Sequence, residues 1–211
     1  MNKPSADRLP LSVAILCGGR STRMGRPKAL LPVAGERIID RILRVAQAVS
    51  DDVFLVGDGT GGALESLEVP IVPDHWPALG PIGGVATALK VARHDLVACF
   101  ASDMPFLSVR LVEMLYELLG DAKVVSVSGV RGWEPLCALY RKATLSTLEW
   151  MIRERELRLR ILSMCEDVRI VEREELLSWG IDPRRAMNVN TPEMLHEAEL
   201  IAPQLDSLLE I

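Results

Sequence analysis

Short apolar runs rich in β-branched residues alternate along this chain with longer stretches in which apolar positions recur at helical spacing. Period-two or fully apolar runs of four to six residues predict strands at Leu11–Leu16, Val53–Val56, Val69–Val72, Leu96–Ala101, Lys123–Ser128, Pro135–Tyr140 and Val168–Val171. Helical spacing predicts helices at Arg37–Val49, Ile82–Arg93, Ser108–Leu119, Ala143–Arg155 and Pro192–Ile201. Alternation of this kind is the signature of strands joined by crossover helices, so the expected fold is α/β. The sheet is expected to be mainly parallel and covered by helices on both faces, giving three layers, α/β/α. The start of the last helix carries its own signal. Thr191 can cap the free amides, Pro192 suits the first helical position, and Glu193 complements the positive end of the helix dipole.

Composition narrows the picture. With 211 residues, 49% of them hydrophobic, the chain is long enough for a substantial core and short enough for one domain, with residues 1–10 read as a flexible tail. No fixed-period repeat or long linker divides it, although Gly57 to Gly62 reads as a flexible loop. A net charge of −5 supplies no global basic field for nucleic acid, so a bound anion must be gripped locally. The apolar run Leu11–Leu16 is shorter than a signal sequence core or a membrane span, and the expected setting is the cytoplasm, away from the membrane. The four cysteines form no CxxC pair and the three histidines show no ligand spacing, which reads as free thiols without a zinc site.

The first predicted strand runs into Leu16-Cys17-Gly18-Gly19-Arg20-Ser21-Thr22-Arg23-Met24-Gly25-Arg26-Pro27-Lys28. Glycines let main-chain amides approach phosphate oxygens, while Arg23 offers a planar fork and Lys28 a movable point charge. The spacing is neither GxxxxGK[ST] nor GxGxxG, so this is not a P-loop or a dinucleotide turn. A second candidate is Asp103, where the apolar strand Leu96–Ala101 is followed closely by a carboxylate in Ser102-Asp103-Met104-Pro105. In parallel sheets ligands sit beyond the carboxyl ends of strands, and both features fall there. A carboxylate in that place can hold Mg²⁺, although an aspartate before proline is also a common turn former.

Asp74 repeats the pattern in Ile71-Val72-Pro73-Asp74, and Gly80-Pro81-Ile82-Gly83-Gly84 then opens a helix whose free amides a ligand could approach. The same glycines would also suit tight packing of helix on strand. Asn188-Val189-Asn190 precedes the last helix, where asparagines are usually turn and cap residues rather than ligands. Glu134-Pro135 is a weaker signal. Arg153, Arg155, Arg158 and Arg160 could meet an anionic second substrate or form a solvated face.

Together these segments resemble the molybdenum cofactor guanylyltransferase family, in which a strand leads into L-A-G-G, R-M-G and a lysine. Here the corresponding residues are Leu16 to Gly19, Arg23 to Gly25 and Lys28, followed by Asp74, the Gly80 to Gly84 segment, Asp103-Met104-Pro105 and Asn188 to Glu193 as NVNTPE. The first loop is shared by many nucleotidyltransferases, whereas NVNTPE points to the guanylyl branch. Cys17 stands where alanine is usual, Pro27 where many members have aspartate, and Gly57-Asp58-Gly59 where an asparagine often follows the second strand.

The resemblance implies a Rossmann-like fold of the nucleotide-diphospho-sugar transferase type, GTP and a molybdopterin-type cofactor as substrates, and Mg²⁺ as cofactor. It assigns Leu16, Cys17, Gly18, Gly19, Lys28, Asp74 and Asp103 to the nucleotide. Arg23, Lys28 and Asp103 fall to catalysis, Asp103 to the metal, and Gly83, Asn188 and Asn190 to the acceptor. Transient contacts with cofactor-assembly proteins or with chaperones of target enzymes are implied as well. Two alternatives stand beside this reading: cytidylyl transfer to the same acceptor, and a non-catalytic cofactor carrier.

Overall fold

The computed structural model describes residues 8–18, 27–57, 62, 64–129 and 132–207. In chain order the elements are β1 (Ser12–Leu16), β2 (Pro32–Val33), β3 (Glu36–Arg37), α1 (Ile38–Val49), β4 (Asp52–Val56), β5 (Ile71–Val72), α2 (Pro81–Val91), β6 (Leu96–Ala101), α3 (Val109–Leu118), β7 (Val124–Gly129), β8 (Gly132–Arg141), α4 (Leu145–Arg153), α5 (Leu162–Cys165), β9 (Val168–Val171), α6 (Arg173–Ser178) and α7 (Pro192–Ser207).

Seven strands form one sheet in the order β5-β4-β1-β6-β8-β7-β9. All run parallel except β8, which is antiparallel to both β6 and β7. β1 is wholly buried, and its side chains alternate between two cores, as period-two geometry requires. Val13 and Ile15 join the core formed with α1, α3, α6 and α7, while Ala14 and Leu16 join the core with α2, α4 and α5. α1 packs one stripe, Ile38, Ile39, Ile42, Leu43, Ala46 and Val49, a spacing that keeps these residues on one side of a 3.6-residue helix.

From β1 the chain winds outward through β4 to β5, then crosses by α2 to lay β6 against the opposite edge of β1. This reversal opens a crevice where β1 and β6 end together, with Leu16 level with Ala101. The strand level with them on the far side of β6 is the beginning of β8, because β8 runs the other way.

Several elements differ from the sequence reading. A small hairpin, β2–β3, turns through Ala34 and Gly35, both at positive φ (50° and 79°). The short helices α5 and α6 fall in segments whose apolar positions are too few to show a period. α7 starts as expected, with the Met194 amide donating to the Thr191 hydroxyl at 3.3 Å. It does not end at Ile201 but runs through Pro203 to Ser207. A proline inside a helix costs about 3 kcal/mol. Burial of Ala202 and Leu205 and the bidentate pair from Arg41 to Asp206 (3.0 and 2.6 Å) hold this final turn against that cost.

Candidate active site

The crevice is a cleft of about 480 Å³. Leu16, Cys17 and Gly18 line it from the end of β1, Val56 and Gly57 from β4, and Ala101, Ser102 and Asp103 from β6. Lys28 and Ala29 close one side, Asp74, Ala78, Gly80, Pro81 and Gly84 another, and Leu136 of β8 reaches in from across the switch. The backbone is tightly stitched here: the Cys17 amide donates to Val56 O (2.8 Å), the Gly57 amide to Val72 O (3.0 Å), and the Ser102 amide to Leu16 O (3.2 Å).

Three residues far apart in sequence converge at one end. Lys28 Nζ lies 3.1 Å from Asp103 Oδ2 and 2.6 Å from Asn190 Oδ1, the latter 162 residues away. Asn190 is delivered by main-chain pairing, since the Val189 amide donates to the Asp103 carbonyl at 2.8 Å. Asp103 is only 8% exposed, and its Oδ1 has no hydrogen-bond partner among the described residues. Burial pushes the Asp103 carboxyl above the usual carboxylate range, and the Lys28 ammonium opposes that shift. Asn188, two residues before Asn190, is half-buried, and its Oδ1 also has no hydrogen-bond partner among the described residues.

Asp74 is placed differently from Asp103. Its Oδ1 accepts from the Thr87 hydroxyl (2.8 Å) and from the Trp76 amide (2.9 Å), and the Thr87 oxygen accepts in turn from the His75 amide (2.9 Å). The carboxylate thereby shapes the wall formed by residues 74–80 as well as lining the cleft. Gly83 is buried in the first turn of α2, where a Cβ would come within 2.5 Å of the Trp76 carbonyl; the glycine that faces the cleft is Gly84. A Cβ on Gly84 would lie 2.7 Å from Leu16 Cδ2. Gly84→Ala should therefore push Leu16 toward the cleft, lowering stability by about 1–3 kcal/mol and weakening nucleotide binding. Denaturant unfolding and calorimetric titration check the two effects separately.

Gly19 and Arg23 lie outside the described residues. Gly57 occupies the place of the missing asparagine with φ 136°, and a Cβ there would meet the Cys17 and Gly18 backbone at 3.1 Å. Only glycine fits without displacing the Cys17–Gly18 backbone.

Glu134 carries only a weak signal in the sequence. It stands at the start of β8, on the carboxyl edge shared with Asp103. Burial raises its carboxyl above the usual range, the Leu136 amide and Arg160 oppose this, and the Asp103 charge adds to it. The sequence signal was present in Glu134-Pro135, but only the antiparallel run of β8 brings that dipeptide to the edge of the site. In the arginine cluster, Arg158 is held by Glu156 (2.8 and 2.6 Å), which lowers the Glu156 carboxyl to about 2. Arg160 instead turns toward Gly132 at the β8 entry.

A mixed sheet with its switch point at β1 and β6, a backbone-lined cleft and a Lys–Asp pair at its mouth defines an α/β nucleotide-site protein of the transferase type. Residues 13–168 match the family described as MobA-like NTP transferase domain. The chain is 32% identical over 182 residues to a probable molybdenum cofactor guanylyltransferase of Carboxydothermus hydrogenoformans, covering 86% of this chain and 91% of that protein. It is 33% identical over 193 residues to the molybdenum cofactor guanylyltransferase of Pseudomonas putida, covering 88% and 96%. Among solved structures, molybdopterin-guanine dinucleotide biosynthesis protein A of Archaeoglobus fulgidus superposes with a TM-score of 0.78 at 25% identity, over 92% of this chain and 99% of that one. The chain belongs to the MobA-like NTP transferase family, and its fold is that of the nucleotide-diphospho-sugar transferases.

Proposed function

We propose that the protein transfers GMP from GTP to the terminal phosphate of a molybdopterin-type cofactor and releases pyrophosphate. The relatives described above are named molybdenum cofactor guanylyltransferases, and the observation that supports the reading most directly is the convergence of Lys28, Asp103 and Asn190 at the cleft. GTP lies along the ends of β1 and β4, its base and ribose against Leu16 to Gly18 and the wall from Asp74 to Gly84. Its phosphates are directed toward Lys28 and, by sequence, toward Gly19 and Arg23. The acceptor enters from the side of Asn188 and Asn190.

An acceptor phosphate oxygen attacks the α-phosphorus of GTP in line. The new P–O bond forms as the bond to the β-phosphate oxygen breaks, and the electron pair leaves on pyrophosphate. The attacking oxygen is already ionised near neutral pH, so no general base is required. Lys28 bears on the charge that develops on the leaving group, and the cleft walls fix the two reactants in line.

The donors at Asp103 fit Mg²⁺: a hard carboxylate with one buried, unpartnered oxygen at the place where phosphates would lie. Asp103 would hold the ion, which when bound would supply charge neutralisation for the phosphates. Among the described residues no helix is long and apolar enough to cross a membrane. The setting we propose is the cytoplasm, with cofactor-assembly proteins and target-enzyme chaperones as transient partners, as the resemblance to the family implies.

Calorimetric titration with GTP, CTP, ATP and UTP, each with and without Mg²⁺, tests the reading. GTP-selective binding is expected. CTP preference would move the protein to cytidylyl transfer, a live contrast because Gly57 offers no side chain to a base. Absence of all nucleotide binding would favour a cofactor carrier.

A further inference from the structure

We infer that the Lys28 ammonium is a built-in stand-in for the metal: it holds the Asp103 carboxylate in the absence of nucleotide, so that a divalent cation gains full access only when a polyphosphate draws Lys28 away. The inference deepens the reading above and rests on its placement of phosphates and metal at this end of the cleft.

The geometry carries it. Lys28 Nζ is shared between Asp103 Oδ2 (3.1 Å) and Asn190 Oδ1 (2.6 Å), two oxygens that a hard cation would also seek. Asp103 Oδ1, the other oxygen of the same nearly buried carboxylate, has no hydrogen-bond partner among the described residues. The site is therefore half occupied by a positive charge from the protein itself. A dication approaching Oδ1 meets an ammonium about one hydrogen bond away from the same carboxylate. The repulsion exceeds that in bulk water because the Asp103 carboxylate is nearly buried.

The lysine is also built to move. Its backbone is anchored, with Ala29 buried, the Leu30 amide donating to Pro27 O (3.0 Å) and the Leu31 amide to Lys28 O (3.0 Å). The four-carbon stem can swing about that fixed point. Nucleotide phosphates offer the ammonium several charged oxygens at once, a strong set of acceptors. Transfer of Lys28 to the phosphates frees Asp103 Oδ2 for the cation at the same moment as the phosphates supply further ligands. Nucleotide and metal then bind cooperatively, by an exchange of partners at Asp103 and without a change of fold.

The test uses the metal alone. Mn²⁺ binding to the nucleotide-free protein is followed by the loss of its free aqueous electron paramagnetic resonance signal, for the wild type, Lys28→Met and the double variant Lys28→Met/Asp103→Asn. Lys28→Met is expected to bind Mn²⁺ about tenfold or more tightly than the wild type, and the double variant to lose that gain. Lys28→Gln serves in the same comparison should the methionine variant fold poorly. No gain on removing the ammonium, or a gain that persists without the Asp103 carboxylate, would overturn the inference. Since no nucleotide enters the assay, it separates from the proposed function: a chain that shows the gain but selects no GTP would sink the guanylyl assignment and leave the stand-in lysine intact.

Discussion

Replacing Lys28 by alanine lowers kcat by about one-hundredfold to one-thousandfold in the expected result, while the far-UV circular dichroism spectrum stays that of the wild type. The size follows from what one well-placed charge contributes where negative charge develops beside it. The structure adds a stability cost, because Lys28 is the partner of a buried carboxylate. Its loss should lower stability by about 1–2 kcal/mol, a measurable drop that leaves the protein folded. Steady-state turnover, compared with a denaturant melt of the same sample, separates the two effects. Near-normal turnover would remove Lys28 from the mechanism whatever the melt shows.

Asp103→Asn is expected to abolish magnesium-dependent turnover altogether. The amide keeps the shape and retains an oxygen for Lys28, so positioning survives, but it has no negative charge with which to hold a hard dication. Stability should move in the opposite sense from activity. Burial raises the Asp103 carboxyl even with Lys28 beside it, which means the ionised form is held at a net cost near neutral pH. A neutral amide relieves that cost. Thermal melting of Asp103→Asn should thus give a midpoint no lower than that of the wild type, beside an enzyme that magnesium no longer activates. A variant still stimulated by magnesium would place the metal on other residues.

The opposed signs also explain why this site reads poorly as a stabilising feature. Asp103 Oδ1 and Asn188 Oδ1 lack hydrogen-bond partners among the described residues, yet main-chain pairing from Val189 to Asp103 holds the two segments together. Gly57, Gly83 and Gly84 work in the other direction, each giving up a side chain so that backbone or Leu16 can approach closely.

Local pattern carried much of the architecture. The strand at Leu96–Ala101 and the start of the last helix at Thr191-Pro192 lie where the sequence places them, because apolar runs and capping groups act within a few residues of one another. The direction of β8 was not legible: a strand has the same period whichever way it runs, and only pairing with β6 and β7 shows that Glu134 and Leu136 begin at the site. Nor could the sequence foresee that α7 passes Pro203, since the contacts that hold its last turn come from Arg41, in a helix near the other end of the chain.

The same division holds for the site. The sequence by itself determined its chemical inventory, a glycine-rich loop after one buried strand, an aspartate after another and asparagines before a capped helix, because residue type and local spacing are what phosphate and metal chemistry require. Tertiary structure alone decided that the Lys28 ammonium rests between Asp103 and Asn190, that Asp74 is tied to Thr87, and that Gly83 packs against the Trp76 carbonyl. Those outcomes depend on groups up to 162 residues apart competing for the same few hydrogen bonds, and the order of strands in the sheet settles which of them meet.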